Sequence, residues 1–298
     1  MEYTLIEAPV SLGARTHGTE EAYSALRDDL YKIFGCREIR ASKPDKDEND
    51  LLHRDGKCDI VYPGAVMKTA RGVYEASRKA IAEKTFPVVI GGDHSVAIGS
   101  LAAANHAHGS EELSVVWIDA HTDINTDEGS PSGFIHGMPI ASALGLCRDE
   151  LTIGENTPPV KGENVFVIGA RSIDDEEYPV IEENGVNVYK MDEIKKRGLD
   201  RVLRELISKL QTKAIHVSFD VDCLDPRCFH SSGYIIENGF LPDEVKTIIR
   251  ALAKTGKVVS FDCVEYLPRL DLDECDRQTV ISILEDAKRS FDEANTLI

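Results

Sequence analysis

Short runs of β-branched and aromatic residues recur along the chain at positions 3–6, 60–62, 88–90, 115–118, 165–168, 186–189, 215–219 and 258–261. Several are apolar at successive positions instead of alternating, as strands covered on both faces must be. Between them lie helix-length segments, among them 65–84, 200–210 and 243–254, with apolar residues three and four apart. The alternation predicts an α/β protein, a three-layer α/β/α sandwich around a mostly parallel central sheet of about eight strands. A closed eight-stranded barrel is the competing arrangement, and spacing does not separate the two. The polar stretch KPDKDEND at 43–50 reads as a solvated loop, and no composition shift marks a linker, so 1–298 reads as one domain. VSFD occurs at 217–220 and again at 259–262, too short for a repeat and better read as two similar strand ends.

Charge narrows the function classes. The 298 residues carry 52 acidic against 34 basic side chains, a formal charge of −18, which weighs against nucleic acid and membrane surfaces and favours a small cationic substrate. The first residues, MEYTLIEAPV, offer no basic leader, and no apolar run is long enough to span a bilayer. Cys36, Cys58, Cys147, Cys223, Cys228, Cys263 and Cys275 are odd in number and form no CxxC pair, which fits reduced thiols in a cytoplasmic protein.

In open parallel sheets the ligand site lies at the carboxyl ends of the strands. Four apolar runs end in polar motifs: GGDHS at 91–95, DAHTD at 119–123, DVD at 220–222 and DCVE at 262–265. A continuing extended chain would bring Asp119, His121 and Asp123 to one side, and Asp220 and Asp222 repeat that pattern. Gly91 and Gly92 allow a sharp turn before His94. An isolated Asp or His is usually a helix cap or a satisfied polar pair, but six at strand ends fit that reading poorly. Buried together, uncompensated carboxylates repel and are driven to protonate. Four aspartates carry about −4, which two divalent cations held by His94, Asp119, His121, Asp123, Asp220 and Asp222 would balance. Oxygen and imidazole donors without thiolate suit Mn²⁺ or Fe²⁺, with Zn²⁺ and Co²⁺ possible. A water shared by two such ions would ionise near neutral pH and become a nucleophile.

GGDHS, DAHTD and SFDVDCLDP in this order, with HGMP at 136–139 between the second and third, closely resemble the ureohydrolases, which include arginase, agmatinase, formiminoglutamase and guanidinobutyrase. The resemblance runs from GARTHG at 13–18 to VEYLP at 264–268 and, through DAHTDINT and SGFIHG, is strongest to arginase. It implies two Mn²⁺ per subunit, a homo-oligomer (trimer or hexamer), and hydrolysis of L-arginine to L-ornithine and urea by a metal-bridging hydroxide. Asn125, Ser130 and Ser132 are then expected to receive the substrate α-carboxylate, and Asp174 and Glu177 the α-ammonium. Glu265 matches the glutamate that binds the guanidinium, since a carboxylate accepts two parallel hydrogen bonds from that planar fork. His136 matches the proton-shuttle histidine. Asp123 is expected also to orient the hydroxide. The sequence departs from arginases at Phe134, where asparagine is common, and at Ser232, Gly233 and Tyr234, where a TGT-like segment usually stands.

Three other readings remain: a ureohydrolase for agmatine, a guanidino acid or formiminoglutamate; a deacetylase-like amidohydrolase, which retains fewer ligands; and a catalytically silent metal-binding homologue. A substrate panel and metal content discriminate among them.

Overall fold

In the computed structural model, which describes residues 1–44, 46–154 and 157–296, the apolar runs become strands of one open sheet. Its members are β1 (Tyr3–Glu7), β2 (Glu38–Arg40), β5 (Phe86–Ile90), β6 (Leu113–Ile118), β7 (Val165–Ala170), β8 (Asn187–Lys190), β9 (Ala214–Asp220) and β10 (Val258–Val264). The order is β2-β1-β5-β10-β9-β6-β7-β8, every neighbouring pair is parallel, and β2 and β8 do not close a barrel. A separate antiparallel pair joins β3 (Leu51–Leu52) to β4 (Ile60–Val61).

Two expectations need correction. The 60–62 run lies outside the central sheet, and Tyr62 leaves β4 with φ 54 to begin a helix. Its place is taken by β2, whose three residues are half-buried or exposed and carry charge at both ends. An edge strand of this kind has too little apolar pattern to announce itself, and its charges blunt pairing with other chains. The 43–50 stretch is also more than a solvated loop. Asp50 accepts the N–H groups of Gly64 and Ala65 at 3.0 and 2.8 Å and so caps the following helix. Asp45 of that stretch lies outside the described residues, as do Glu155, Asn156, Leu297 and Ile298, all within the span expected to form one domain.

The helices are α1 (Ala22–Phe34), α2 (Pro63–Ala82), α3 (Ala97–His108), α4 (Pro139–Ala143), α5 (Glu177–Asn184), α6 (Met191–Arg197), α7 (Leu199–Lys209), α8 (Pro242–Ala253) and α9 (Cys275–Thr296). Alternate strand residues point to opposite faces of the sheet and pack there into three apolar clusters. Val116, Ile118, Val217 and Phe219 pack with Leu26 of α1, Leu206 of α7, Ile248 of α8 and Leu284 of α9. Val115, Trp117, Val165 and Val167 point the other way, against Leu101 and Ala104 of α3, while Ile6 and Val89 meet Val66 and Val73 of α2. Each such side chain contributes roughly 1.5–3 kcal/mol on leaving water, so both faces must be covered. In α7 the buried Val202, Leu203 and Leu206 recur at helical spacing. In α8, Pro242 occupies the first turn and Glu244 accepts the Leu241 N–H at 2.8 Å.

The four strands that end in the polar motifs, β5, β10, β9 and β6, are consecutive neighbours at the centre. The connection after β9 leads to β10 and that after β6 to β7, so the chain departs in opposite directions from adjacent strands. A crevice opens where the connections diverge. Among the described residues no helix is long and apolar enough to cross a membrane.

Candidate metal centre

The turn after β5 is built by glycine. Gly91 and Gly92 have φ of +84° and +81°, and a Cβ at Gly92 would lie 2.6 Å from the Ala8 carbonyl oxygen. The turn delivers His94 to the sheet edge on a 3₁₀ turn, His94–Val96, capped by Asp93, whose side chain accepts the Ser95 N–H. The DAHTD segment departs from the extended geometry expected of it. β6 stops at Ile118, residues 119–121 bend, and Asp123 has φ 45. Convergence comes instead from carboxylates gripping the chain two residues ahead. Asp119 accepts the His121 N–H and Asp220 accepts the Asp222 N–H, each at 2.7 Å.

His94 Nδ1 stands 3.0 Å from an oxygen of each of Asp119, Asp123 and Asp220. His121 Nδ1 stands 2.9 Å from Asp222 and 3.5 Å from the other oxygen of Asp119. Two donor groups result, His94–Asp119–Asp220 and Asp119–His121–Asp222, with Asp119 common to both. His94 Nδ1 and Asp119 Oδ2 are buried without a hydrogen-bond partner. A nitrogen equidistant from three carboxylate oxygens and bonded to none has the arrangement a cation would complete.

The electrostatics agree. Burial pushes Asp220 well above the usual carboxylate range, aided by the charges of Asp222 and Asp119, and pushes Asp222 up to about 6, aided by Asp119. Burial and the Asp119 charge also raise Asp123. Burial disfavours the charged imidazoles of His94 and His121, but the surrounding carboxylates overcome it and push both well above the ordinary histidine value. Burial likewise opposes ionisation of Asp119, yet His121 and His94 hold it below the usual range. Divalent cations bound here would relieve the mutual repulsion of these buried carboxylates.

Behind His94, Ser218 Oγ meets Nε2 at 2.9 Å, and the Trp117 ring stacks on the imidazole at 3.9 Å and 7°. Ser218 was legible as the residue two before Asp220 on the same strand face, but serine in a strand carries no chemical signal of its own.

In front of the donor groups opens a cavity of about 410 Å³, lined by His121, Asp123, Asn125, Ser130, Ser132, Phe134, His136, Asp174, Glu177 and Tyr234, with Arg15 at the rim. His136 Nδ1 lies 3.2 Å from Glu265 Oε1, which also accepts the His94 N–H at 2.9 Å. Burial lowers the His136 imidazole, but the Glu265 hydrogen bond and charge outweigh it and raise the ring above its ordinary value. Glu265 itself is buried, with φ 65, and sits behind His136 instead of on the cavity wall. Its Oε2 has no partner among the described residues.

The residues expected to hold the amino-acid end are gathered, with one change of chemistry. Asn125 donates through Nδ2 to Asp174 at 2.9 Å, so the oxygen it has free, the buried and unpartnered Oδ1, is an acceptor. Ser130 and Ser132 accept from Gly133 and Phe134 N–H at 3.0 and 3.3 Å and keep their hydroxyl protons for donation. Glu177 uses both oxygens as a brace, accepting from Ile124 and Asp174 N–H at 3.0 and 2.9 Å, and burial pushes its carboxyl up to about 7. Tyr234 stacks on His136 at 5.3 Å and meets His121 edge-on at 5.6 Å.

Asp262 is not with them. β10 runs on to Val264, so Asp262 lies inside the strand, hydrogen-bonded by Ser100 at 2.5 Å and 3.1 Å from His216. A second cavity of about 450 Å³ lies beside α3 and α4, away from the six candidate ligands, and no donor group gathers there among the described residues.

The family model for the arginase family matches residues 1–287. The arginase of Bacillus caldovelox is 36% identical over 280 residues, covering 90% of this chain and 91% of that one. Its crystal structure, native at pH 5.6, superposes with a TM-score of 0.86 at 32% identity over 96% of this chain and 98% of that one. An Entamoeba histolytica arginase in complex with L-ornithine gives a TM-score of 0.87 at 26% identity, covering 97% and 99% of the two chains.

Proposed function

The chain belongs to the arginase family and is a ureohydrolase; from that premise we propose that it hydrolyses L-arginine to L-ornithine and urea with two Mn²⁺ per subunit. The observation that carries the proposal is the pair of donor groups sharing Asp119 at the floor of a polar cavity. His94, Asp119, Asp123 and Asp220 would hold one ion, and Asp119, His121, Asp123 and Asp222 the other. When bound, the pair supplies Lewis acidity and a water acidic enough to attack at neutral pH.

The chain's own groups do the rest. Glu265 lies off the cavity wall behind His136 and keeps one oxygen outside its bonds to His94 and His136; a guanidinium would have to reach past His136 to donate to that oxygen. His136, whose affinity for a proton Glu265 raises against the effect of burial, is placed to give a proton to the leaving amine, whose departure requires one. Asp123 stands 3.0 Å from the His94 imidazole and lines the cavity, and orients the attacking water. Asp174 and the free Oδ1 of Asn125 accept from the α-ammonium, while Ser130 and Ser132 donate to the α-carboxylate. Phe134 and Tyr234 narrow the cavity, and the acidic net charge draws a cationic substrate toward it. Urea release from a guanidino panel tests the reading. Release from agmatine but not from L-arginine would reject the carboxylate-binding assignment.

A further inference from the structure

One cation stands against this pocket without a carboxylate partner among the described residues. Arg15 lies in a loop pinned from two sides: the Gly13 N–H donates to buried Asp93 at 2.8 Å, and the Gly13 carbonyl accepts the His136 N–H at 3.0 Å. Beyond it, Thr16 abuts Gly233, where an added Cβ would come within 3.3 Å of the threonine Cβ. The loop is therefore fixed between the segment that carries His136 and the segment that carries Tyr234. The Arg15 guanidinium carbon lies 5.9 Å from the centre of the Phe134 ring, a face that attracts a cation and limits where the head can wander.

What sets this arginine apart is its place at the cavity: exposed Arg71, Arg78, Arg201 and Arg204 also show no carboxylate partner among the described residues, but none of them lines it. Arg27, Arg227 and Arg269, exposed like Arg15, are each paired with a carboxylate, as a chain with 52 acidic residues readily allows. Arg15 has no carboxylate partner among the described residues. It is also the only lysine or arginine among those lining the cavity, whose carboxylates are Asp123, Asp174 and Glu177 and whose two imidazoles, His121 and His136, are already engaged by Asp222 and Glu265. A substrate carboxylate entering there meets two neutral hydroxyls, Ser130 and Ser132, and an asparagine already committed to Asp174.

Resting on the ureohydrolase reading of this site, we propose that Arg15, held over Phe134, is a specificity-determining residue that receives the carboxylate of a guanidino amino acid at the pocket mouth. The planar guanidinium matches a carboxylate with two parallel hydrogen bonds, and solvent exposure keeps the contribution modest. The contact lies far from the bond that breaks and is made equally before and during reaction. It therefore acts on KM and not on kcat.

The test is steady-state urea release by the Mn²⁺-loaded full chain, wild type and Arg15→Ala, with Arg15→Lys as the conservative variant. Substrates are L-arginine and agmatine, which differ by the carboxylate, together with further guanidino acids. The expected result is a KM for L-arginine raised about three- to tenfold in Arg15→Ala and less in Arg15→Lys, with kcat within about twofold and the agmatine KM unchanged or lower. Unchanged melting temperature shows that the exposed side chain is not needed for folding. An unchanged L-arginine KM overturns the assignment while leaving the L-arginine reading intact. If the wild type cleaves only another guanidino acid, the L-arginine reading fails on its own. A raised KM for that acid in Arg15→Ala then upholds Arg15, and an unchanged one overturns it. Activity confined to compounds without a carboxylate overturns both.

Discussion

Ser218 Oγ lies 2.9 Å from Nε2 of His94, and this contact decides which nitrogen of the ring faces the carboxylates. With Nε2 tied to the serine and the ring stacked on Trp117, Nδ1 is the atom presented to Asp119, Asp123 and Asp220. Partners of this kind set the tautomer and orientation of a ligating imidazole. Ser218→Ala should weaken Mn²⁺ binding by about 10- to 100-fold while leaving the metal-free protein folded. Titration of free Mn²⁺ by electron paramagnetic resonance, with circular dichroism of the metal-free variant, checks this; unchanged affinity would show that Trp117 stacking alone orients the ring.

Gly92 should tolerate no side chain. At φ +81° and with a Cβ 2.6 Å from the Ala8 carbonyl, Gly92→Ala strains the turn and pushes β5 from β1. A loss of roughly 3 kcal/mol or more is expected, with His94 displaced and activity lost. Urea denaturation measures it, and a variant within about 0.5 kcal/mol of wild type would mean that the turn relaxes freely.

The acid limb of stability should depend on Asp225. Hydrogen bonds from the Arg227 guanidinium and amide hold its carboxyl at about 2, below the ordinary 3.8. A carboxyl lowered on folding contributes stability that is fully present above the unfolded value and is lost as pH falls through the folded one. The urea midpoint of Asp225→Asn should therefore lie below that of wild type at pH 5, and the gap should close as pH drops from about 4 toward 2. A gap independent of pH would assign the effect to packing.

Much of this was legible in the sequence, for reasons that differ by element. β5, β6, β9 and β10 are buried on both faces and announce themselves as apolar runs, and the polar residues that follow them mark the site. β2 escaped because a three-residue charged edge strand has no such pattern. The DAHTD residues converge as expected but by carboxylate-capped bends, because Asp119 and Asp220 each bind the amide two residues on, a competition with the strand ladder that periodicity does not reveal. Arg15 was invisible for another reason: nothing local ties GARTHG to Phe134, and only the fold brings residues so far apart in sequence together.

Glu177 should act on substrate binding through the loop it braces. Its two oxygens join the amides of Ile124 and Asp174, so Glu177→Ala frees the Asp174 loop and leaves the buried Ile124 N–H and the part-buried Asp174 N–H unpaired. The variant should lose roughly 1–3 kcal/mol of stability per unpaired group and show a KM raised more than kcat is lowered. Thermal melts and steady-state kinetics check both, and a fall in kcat at unchanged KM would place Glu177 in the chemistry instead.

The central claim is a two-cation centre built on a shared Asp119 and serving urea-forming hydrolysis. One sample tests it most directly: the Mn²⁺-loaded, desalted protein is analysed for metal per chain and assayed for urea from L-arginine, beside Asp123→Asn. The expected result is about two ions per chain, urea and L-ornithine in equal amounts, and turnover abolished in the variant. Fewer than about one ion per chain, or full activity in Asp123→Asn, would contradict it.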